Sequence, residues 1–386
     1  MRRLRISASL ATVGLLAAAC GTGAPSGAPT ALGESEDELN LVIWAGYAER
    51  GENDAAYDWV TPFEEETGCE VNTTDMTDSA NGVSLMQSGE YDGISASGDA
   101  TLRLIASDTV APVNLELIPN YANVFDGLKN QPHNTVDGVA YGVPHGRGAN
   151  LLMYNTDEFP EAPTSWAPVW EDAAAHSGQV SVYNSSIYIA DAALHLMETN
   201  ADLGIENPYQ LNEEQFDAAI ELLEAQSAHA VYWGTAAEQI QSFAAGETVV
   251  GTTWQYQANV LGDDGAPVAV TLPEEGSTGW SDTWMIHADA AHPNCMYRWM
   301  NHMLSPEVSA AATVWFGEAP TSQAACDAAE ELSPGHCETF HATDEEYFSN
   351  VWYWSTPQAD CADDDDATTC RDVDAWIEAW TAIVGG

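Results

Sequence analysis

The chain has 386 residues, with 60 Asp and Glu against nine Lys and Arg, a formal charge of −51 at pH 7. So few cations cannot build a basic patch, which excludes nucleic acid as a partner. Such a coat repels itself at low salt and is screened to within about 3 Å at 1 M salt, so a salt-adapted exterior is expected and an isolated acid is by default surface.

The opening "MRRLRISASLATVGLLAAAC" reads as a targeting leader. Arg2, Arg3 and Arg5 form the charged start, Leu10 to Leu16 a short apolar run, and Ala17 to Ala19 lead to Cys20. The run is too short to span a bilayer, which takes roughly 20 apolar residues. A cysteine directly after small residues has the form of a bacterial lipobox, with Ala17 where leucine is usual. Cys20 is therefore the expected lipidated N-terminus, and the protein is expected on the extracellular or periplasmic face of the cell membrane. An ordinary secretory signal is the alternative. Residues 21–38, rich in Gly, Pro, Ser and acid, read as a flexible tether. The remaining chain exceeds the roughly 250–300 residues at which a single core stops growing, so two domains are expected.

The next segments alternate. "LNLVIWAG" (39–46) reads as a buried strand, "YDWVTPFEEETG" as an amphipathic helix, "CEVNTTD" as a strand, "SANGVSLMQSG" as a helix and "YDGISAS" as a strand. This order predicts a parallel, helix-covered sheet. "VAYGVPHGRGANLLMYNT" (139–156) is extended and Gly-rich, suited to a crossing between domains. Helices are expected at "TSWAPVWEDAAAHS", "IYIADAALHLMETN", "NEEQFDAAIELLEAQ" and "AEQIQSFAAG". Asn212 and Gln215 have the spacing of a capping box, and Gly246 of a stop. "ETVVGTTW" reads as a strand. "APVAVTLPEEGSTGWSDTWMIH" runs extended, a second crossing near 275–285. Strand alternation there places Trp280, Asp282 and Trp284 on one face. "PNCMYRWMNHMLS" and "SPEVSAAATVWFG" read as helices, the second capped by Ser305 with Pro306 in its first turn.

Beyond Cys20, the cysteines are Cys69, Cys295, Cys326, Cys337, Cys361 and Cys370. An even number in an exported chain argues for three disulfides. Cys361–Cys370 closes the shortest loop; the sequence leaves the pairing of the other four open. Zinc at Cys337 with His336 and His341 is the alternative, without any CxxC pair to support it. "DCADDDDATTC" reads as a solvated acidic loop or a calcium site, without the DxDxDG spacing.

Two crossings imply two lobes over a cleft, where ligands bind. Aromatics gather at strand ends: Trp44 and Tyr47, Trp254 and Tyr256, Trp280 and Trp284. Aromatic faces attract cations, and a buried carboxylate adds a charge-assisted bond to an ammonium. Aromatics with an acid are thus a recipe for an organic amine; sugars, which also stack on aromatics, compete. Ser97 and Asp99 stand where a helix begins, as cap or as ligand contact. Arg147 could pair with Asp282 or Asp99, or grip a ligand carboxylate. No GxSxG elbow, HExxH or phosphate loop is present, so an enzyme is not expected, nor is a cofactor.

In order and spacing, "IWAGY", "FEEETGCEV", "GEYDGISAS", "YGVPHGRGANLLMYN", "GTTWQYQAN", "GWSDTWMI" and "LSPEVSAAATVWFGEAP" resemble the spermidine/putrescine-binding proteins of ABC transporters. The resemblance covers most of 39–320. It is closest to an actinobacterial branch, through "GDATLRLI" and paired C-terminal cysteines. It implies an α/β, two-lobed periplasmic-binding-protein fold of type II, each lobe a helix-covered mixed sheet. The expected division is 39–143 plus 281–320 for lobe 1 and 144–280 plus 321–386 for lobe 2. By position it implies that Trp44, Tyr47, Trp254 and Trp280 wall the cleft. Ser97 is a polar contact, and Asp282 grips an inner amine. Asp99 and Glu318 fall where the family has tyrosines. Two further family acids correspond to Ser185 and Tyr188 here, so the pair expected for a terminal ammonium is missing, and Tyr188 is expected as a ligand contact in its place. The implied protein is a monomer that captures a polyamine or related amine and delivers it to an ABC permease. A zwitterionic, amino-acid-like ligand or a sugar is the alternative.

Overall fold

Residues 25, 27–52, 54–361 and 369–385 are described by the computed structural model. Cys20 and residues 362–368 of the acidic loop lie outside them. In chain order the elements are β1 (Glu38–Ile43), α1 (Val60–Thr67), β2 (Glu70–Asp75), α2 (Ser79–Gln87), β3 (Gly93–Ala96) and α3 (Gly98–Ala106). A hairpin follows, β4 (Thr135–Val136) and β5 (Val139–Ala140), then β6 (Gly142–Pro144), β7 (Gly148–Ala149) and β8 (Leu151–Asn155). Next come β9 (Val180–Tyr183), α4 (Ile189–Thr199), α5 (Glu213–Ser227), β10 (Ala230–Trp233), α6 (Ala236–Ala244), β11 (Val250–Thr253) and α7 (Gln255–Asp263). The chain then forms β12 (Val268–Thr271), β13 (Ser277–Trp280), β14 (Thr283–Ile286), α8 (Pro293–Met303) and α9 (Pro306–Phe316). It ends with α10 (Gln323–Leu332), α11 (His336–Thr339), α12 (Glu345–Phe348), β15 (Val351–Tyr353) and α13 (Val373–Val384).

The strands form two five-stranded mixed sheets, β2-β1-β3-β14-β6 and β10-β9-β11-β8-β12. The expected β–α–β–α–β start is present, with β1 parallel to both β2 and β3. A third sheet, β15-β13-β7, lies on the chain's path between the other two. Strand β7 carries the chain from the first sheet toward the second, and β13 carries it back; the two pair antiparallel. Parallel pairing of β15 with β13 adds a third strand to this crossing. Each large sheet has its own apolar core, one around Trp59, Trp284 and Trp299, the other around Trp170, Tyr188 and Trp376. That layering follows from runs such as "LLMY" in β8, which are buried on both faces.

Local signals mostly hold. Asn212 and Gln215 form a reciprocal capping box on α5, and Gly246 follows α6 with φ 69°. Ser305 does occupy the N-cap of α9, but its hydroxyl donates to the His302 carbonyl rather than accepting from the helix. The helix expected over 164–177 does not form: only Ala173–His176 makes a 3₁₀ turn. Pro168 explains this, because it has no amide to donate and disfavours helical φ/ψ at Ala167.

The six cysteines form three bridges: Cys69–Cys295, Cys326–Cys337 and Cys361–Cys370. Among the described residues no His, Cys, Asp and Glu group could hold a metal ion, and no helix is long and apolar enough to cross a membrane.

Candidate functional site

Ser281 and Asp282 form the gap between β13 and β14. Strand β14 pairs antiparallel with β3, Thr283 opposite Ala96, so Ser97 stands beside Asp282. The Ser97 hydroxyl donates to one Asp282 oxygen and the Tyr47 hydroxyl to the other, the latter at 2.8 Å. The Asp282 carbonyl in turn accepts from the His145 amide at 2.7 Å. Asp282 is 2% exposed. Burial pushes its carboxyl up to about 6; bonds from Ser97, Tyr47 and Trp44 pull the other way, while the charge of Asp99 adds to the rise. No described Lys or Arg forms an ion pair with Asp282. Of the two roles expected for Ser97, the side-chain cap is not made. Ser97 occupies the N-cap position of α3, but its hydroxyl is turned to Asp282.

Against Asp282 lies a second buried layer. The Tyr47 ring stacks on His145 with centroids 4.0 Å apart and meets the edge of Phe316 at 4.6 Å. Trp284 donates its indole N–H to His145 Nδ1 at 2.9 Å, which leaves the imidazole proton on Nε2, 3.2 Å from Glu318 Oε1. Burial lowers His145 to about 3, so the ring is neutral. Glu318 is fully buried, and burial followed by the charge of Asp282 pushes its carboxyl well up, so it keeps its proton. It lies directly over Gly146, where any Cβ would collide with the carboxyl.

"GWSDTW" is not one strand face. The break at Ser281–Asp282 interrupts the alternation, and the two indoles join different cores. Trp280 packs with Trp254 at 6.5 Å and Phe316 at 6.1 Å, while Trp284 packs with Trp299 at 5.6 Å. The chain is changing sheets at this point, so period-two counting across it fails. Trp44 remains within hydrogen-bonding reach of Asp282. Asp99 lies in the first turn of α3, with one carboxyl oxygen buried and unpartnered, and burial raises its pKa.

Two expected residues lie elsewhere. Arg147 pairs with neither Asp282 nor Asp99. Its guanidinium donates to Glu345 at 3.0 Å, the Ala342 carbonyl at 2.9 Å and the Tyr353 hydroxyl at 3.3 Å, and it lies 3.7 Å over the Phe348 ring. Arg147 stands just before β7 and bridges Ala319 through its backbone, while its side chain runs to the C-terminal helices. Tyr188 is core, stacked on Trp170 at 5.4 Å with its oxygen accepting from Gln226 at 2.9 Å.

A second acid escaped notice in the sequence. Asp191, on the buried face of α4, accepts from the Tyr183 hydroxyl and, at 3.0 Å, from Thr278 on β13. Thr278 accepts from Asn150 at 2.6 Å, and Asn150 accepts from the Trp254 indole at 2.9 Å. This chain of bonds ties Trp254, β13 and Asp191 together. Burial pushes Asp191 up to about 7, against the bonds from Tyr183 and Thr278. The available signal was a lone acid in the otherwise apolar "IYIADAAL".

Trp354, just after β15, also belongs here. Its amide donates to the Gly279 carbonyl at 2.7 Å, its own carbonyl presses on Gly98, and its ring meets Tyr183 at 5.9 Å. A Cβ on Gly98 would collide with that carbonyl, so glycine is required at the start of α3. Thr356 completes the contact by donating to the Gly98 and Asp99 carbonyls at 3.0 and 2.9 Å.

A family model for bacterial extracellular solute-binding proteins matches residues 58–336. The putrescine/agmatine-binding protein of Pseudomonas aeruginosa is 26% identical over 291 residues, covering 70% of this chain and 77% of its own. Spermidine/putrescine-binding periplasmic protein 1 of Haemophilus influenzae is 24% identical over 293 residues, covering 75% and 76%. In fold the chain is similar to PotD of Streptococcus pneumoniae, the substrate-binding protein of a spermidine/putrescine ABC transporter, solved with calcium and HEPES. The TM-score is 0.68 at 16% identity, covering 90% of this chain and 97% of that one.

Proposed function

The chain belongs to the bacterial extracellular solute-binding proteins, and from that premise we propose that it captures an organic amine of the polyamine class for an ABC importer. The observation that carries this reading is Asp282: a carboxyl 2% exposed at the hinge, held by two hydroxyls, flanked by aromatic residues and paired with no described cation. An uncompensated buried carboxylate is costly, so a site of this kind favours a ligand that brings the positive charge. An ammonium there forms a charge-assisted bond to Asp282 and faces Trp44 and Trp280, each aromatic contact contributing about 0.5–2 kcal/mol.

Residues 39–143 plus 281–320 make one lobe and 144–280 plus 321–386 the other in this reading. Ligand bridges them and stabilises the closed form by its higher affinity for it, with β7, β13 and β15 as the hinge. Cys20 anchors the protein by lipid beside its permease. The zwitterion alternative is weakened because Arg147, the basic side chain considered for a ligand carboxylate, is engaged with Glu345. Sugars remain in the screen as the competing class.

The test is a titration of the purified protein, in high salt, with putrescine, spermidine, agmatine, γ-aminobutyrate and glucose, followed by tryptophan fluorescence and calorimetry. Saturable binding of an amine by wild type, weakened by about 1.5–3 kcal/mol in Asp282→Asn, is expected. Binding of sugar alone, or amine binding indifferent to Asp282→Asn, overturns the reading.

A further inference from the structure

The family's two acids for a terminal ammonium correspond here to Ser185 and Tyr188, and Tyr188 is sealed in the core. The lobe is nevertheless not without an acid. We propose that Asp191 is the second anchor of the ligand site, that Trp354 walls the space between it and Asp282, and that the site therefore selects ligands with two ammonium groups. This deepens the amine reading and rests on it.

Three geometric facts support the assignment. First, Asp191 is fastened to the same strand that delivers Asp282. Its oxygen accepts from Thr278, which shares a face of β13 with Trp280, and Asp282 follows two residues later. At about 3.4 Å per residue in an extended strand, the Thr278 and Asp282 backbones stand at most about 14 Å apart. Second, Trp354 touches both acids' surroundings. Its carbonyl rests on Gly98, between Ser97 and Asp99, while its ring meets Tyr183, the hydroxyl donor to Asp191. Its indole nitrogen is buried without a partner among the described residues. Third, the groups around Asp191 are neutral donors: Tyr183 and Thr278, with Asn150 and Trp254 behind them. Among the described residues no Lys or Arg pairs with Asp191. The charges of Asp191 and Asp99 both reach the buried Tyr209. A second ammonium at Asp191 removes the cost of ionising that buried acid, as the first does at Asp282.

The experiment compares 1,4-diaminobutane with n-butylamine, and extends to 1,3-diaminopropane and 1,5-diaminopentane, on wild type, Asp191→Asn and Asp282→Asn. Wild type is expected to prefer the diamine strongly. Asp191→Asn is expected to lose at least about tenfold in diamine affinity while n-butylamine binding changes less than about threefold, because one charge-assisted bond is removed and the other kept. Asp282→Asn weakens both. Should Asp191→Asn fail to fold, Tyr183→Phe and Thr278→Val, each removing one bond to Asp191, are expected to lower the diamine preference in the same sense. A diamine-to-monoamine preference unchanged by these substitutions overturns the second anchor and leaves the amine reading standing. A wild type that binds neither amine overturns the amine reading itself, before any variant is made.

Discussion

The Tyr47 hydroxyl donates to Asp282 at 2.8 Å although 235 positions separate the two residues. The bond joins the end of the first strand to the return crossing, and it stabilises the ionised form of a carboxyl that burial would otherwise keep protonated. Tyr47→Phe keeps the ring on His145 and removes only the donor. Amine affinity measured by calorimetry is expected to fall by about 0.5–1.5 kcal/mol, with the Asp282 titration moving further up.

Binding should depend on pH through Asp282. Its carboxyl titrates near 3.8 when unfolded and at about 6 in the fold. Between those values the folded state holds a proton the unfolded state has lost, so this group's contribution to stability falls as pH rises through the window and is flat below and above it. The melting temperature of Asp282→Asn minus that of wild type should therefore increase from pH 4 to pH 7. Amine capture needs the carboxylate and follows the opposite course, strengthening as pH rises through about 6 and releasing a proton at lower pH. A flat affinity profile between pH 5 and 8 contradicts this.

Glu318 should be nearly silent in binding. It is fully buried behind Tyr47 and His145, and its proton is retained by burial and by the charge of Asp282. Glu318→Gln replaces a neutral acid with a neutral amide, so affinity at pH 7 is expected to change by less than about threefold. A loss comparable to that of Asp282→Asn would show that Glu318 ionises and meets the ligand.

Arg147 should matter to stability and not to affinity. Its guanidinium ties the segment before β7 to Glu345, Ala342 and Tyr353 over Phe348. Arg147→Met keeps the apolar stem and loses the bonds, and chemical denaturation is expected to show a cost of about 1.5–3 kcal/mol. Amine affinity of the folded variant should match wild type.

The Cys69–Cys295 bridge closes a separation of 226 residues, linking β2's start to α8. Replacing both cysteines by alanine is expected to cost about 2–5 kcal/mol by removing a constraint on the unfolded chain. The denaturation midpoint checks it, and reduction of wild type should reproduce much of the shift.

Much of the fold was readable because it is written in local periods: the strand–helix alternation before residue 100, the capping box at Asn212 and Gln215, and the two extended crossings. The helix expected at 164–177 failed through one proline whose effect outweighed the residues around it. In the site, Asp282, Tyr47 and Ser97 were legible because strand ends carry aromatics and small polar residues in a recognisable order. Asp191 was not, because a single acid in an apolar helix has no local partner; Thr278, 87 residues away, supplies one. His145 escaped for the same reason, its tautomer being set by Trp284 across the sheet.

By itself the sequence determined the alternating elements, the even set of exported cysteines, the acidic exterior and the presence of an acid among aromatics at a crossing. All of these depend on neighbours within a few residues, or on composition alone. Tertiary structure decided which cysteines pair, that Trp280 and Trp284 part into separate cores, that Arg147 turns to Glu345, and that Asp191 bonds to Thr278 of β13. Each depends on burial and on partners brought from distant segments. Desolvation and donor geometry, which set the charge of a carboxyl, exist only once the chain has closed around it.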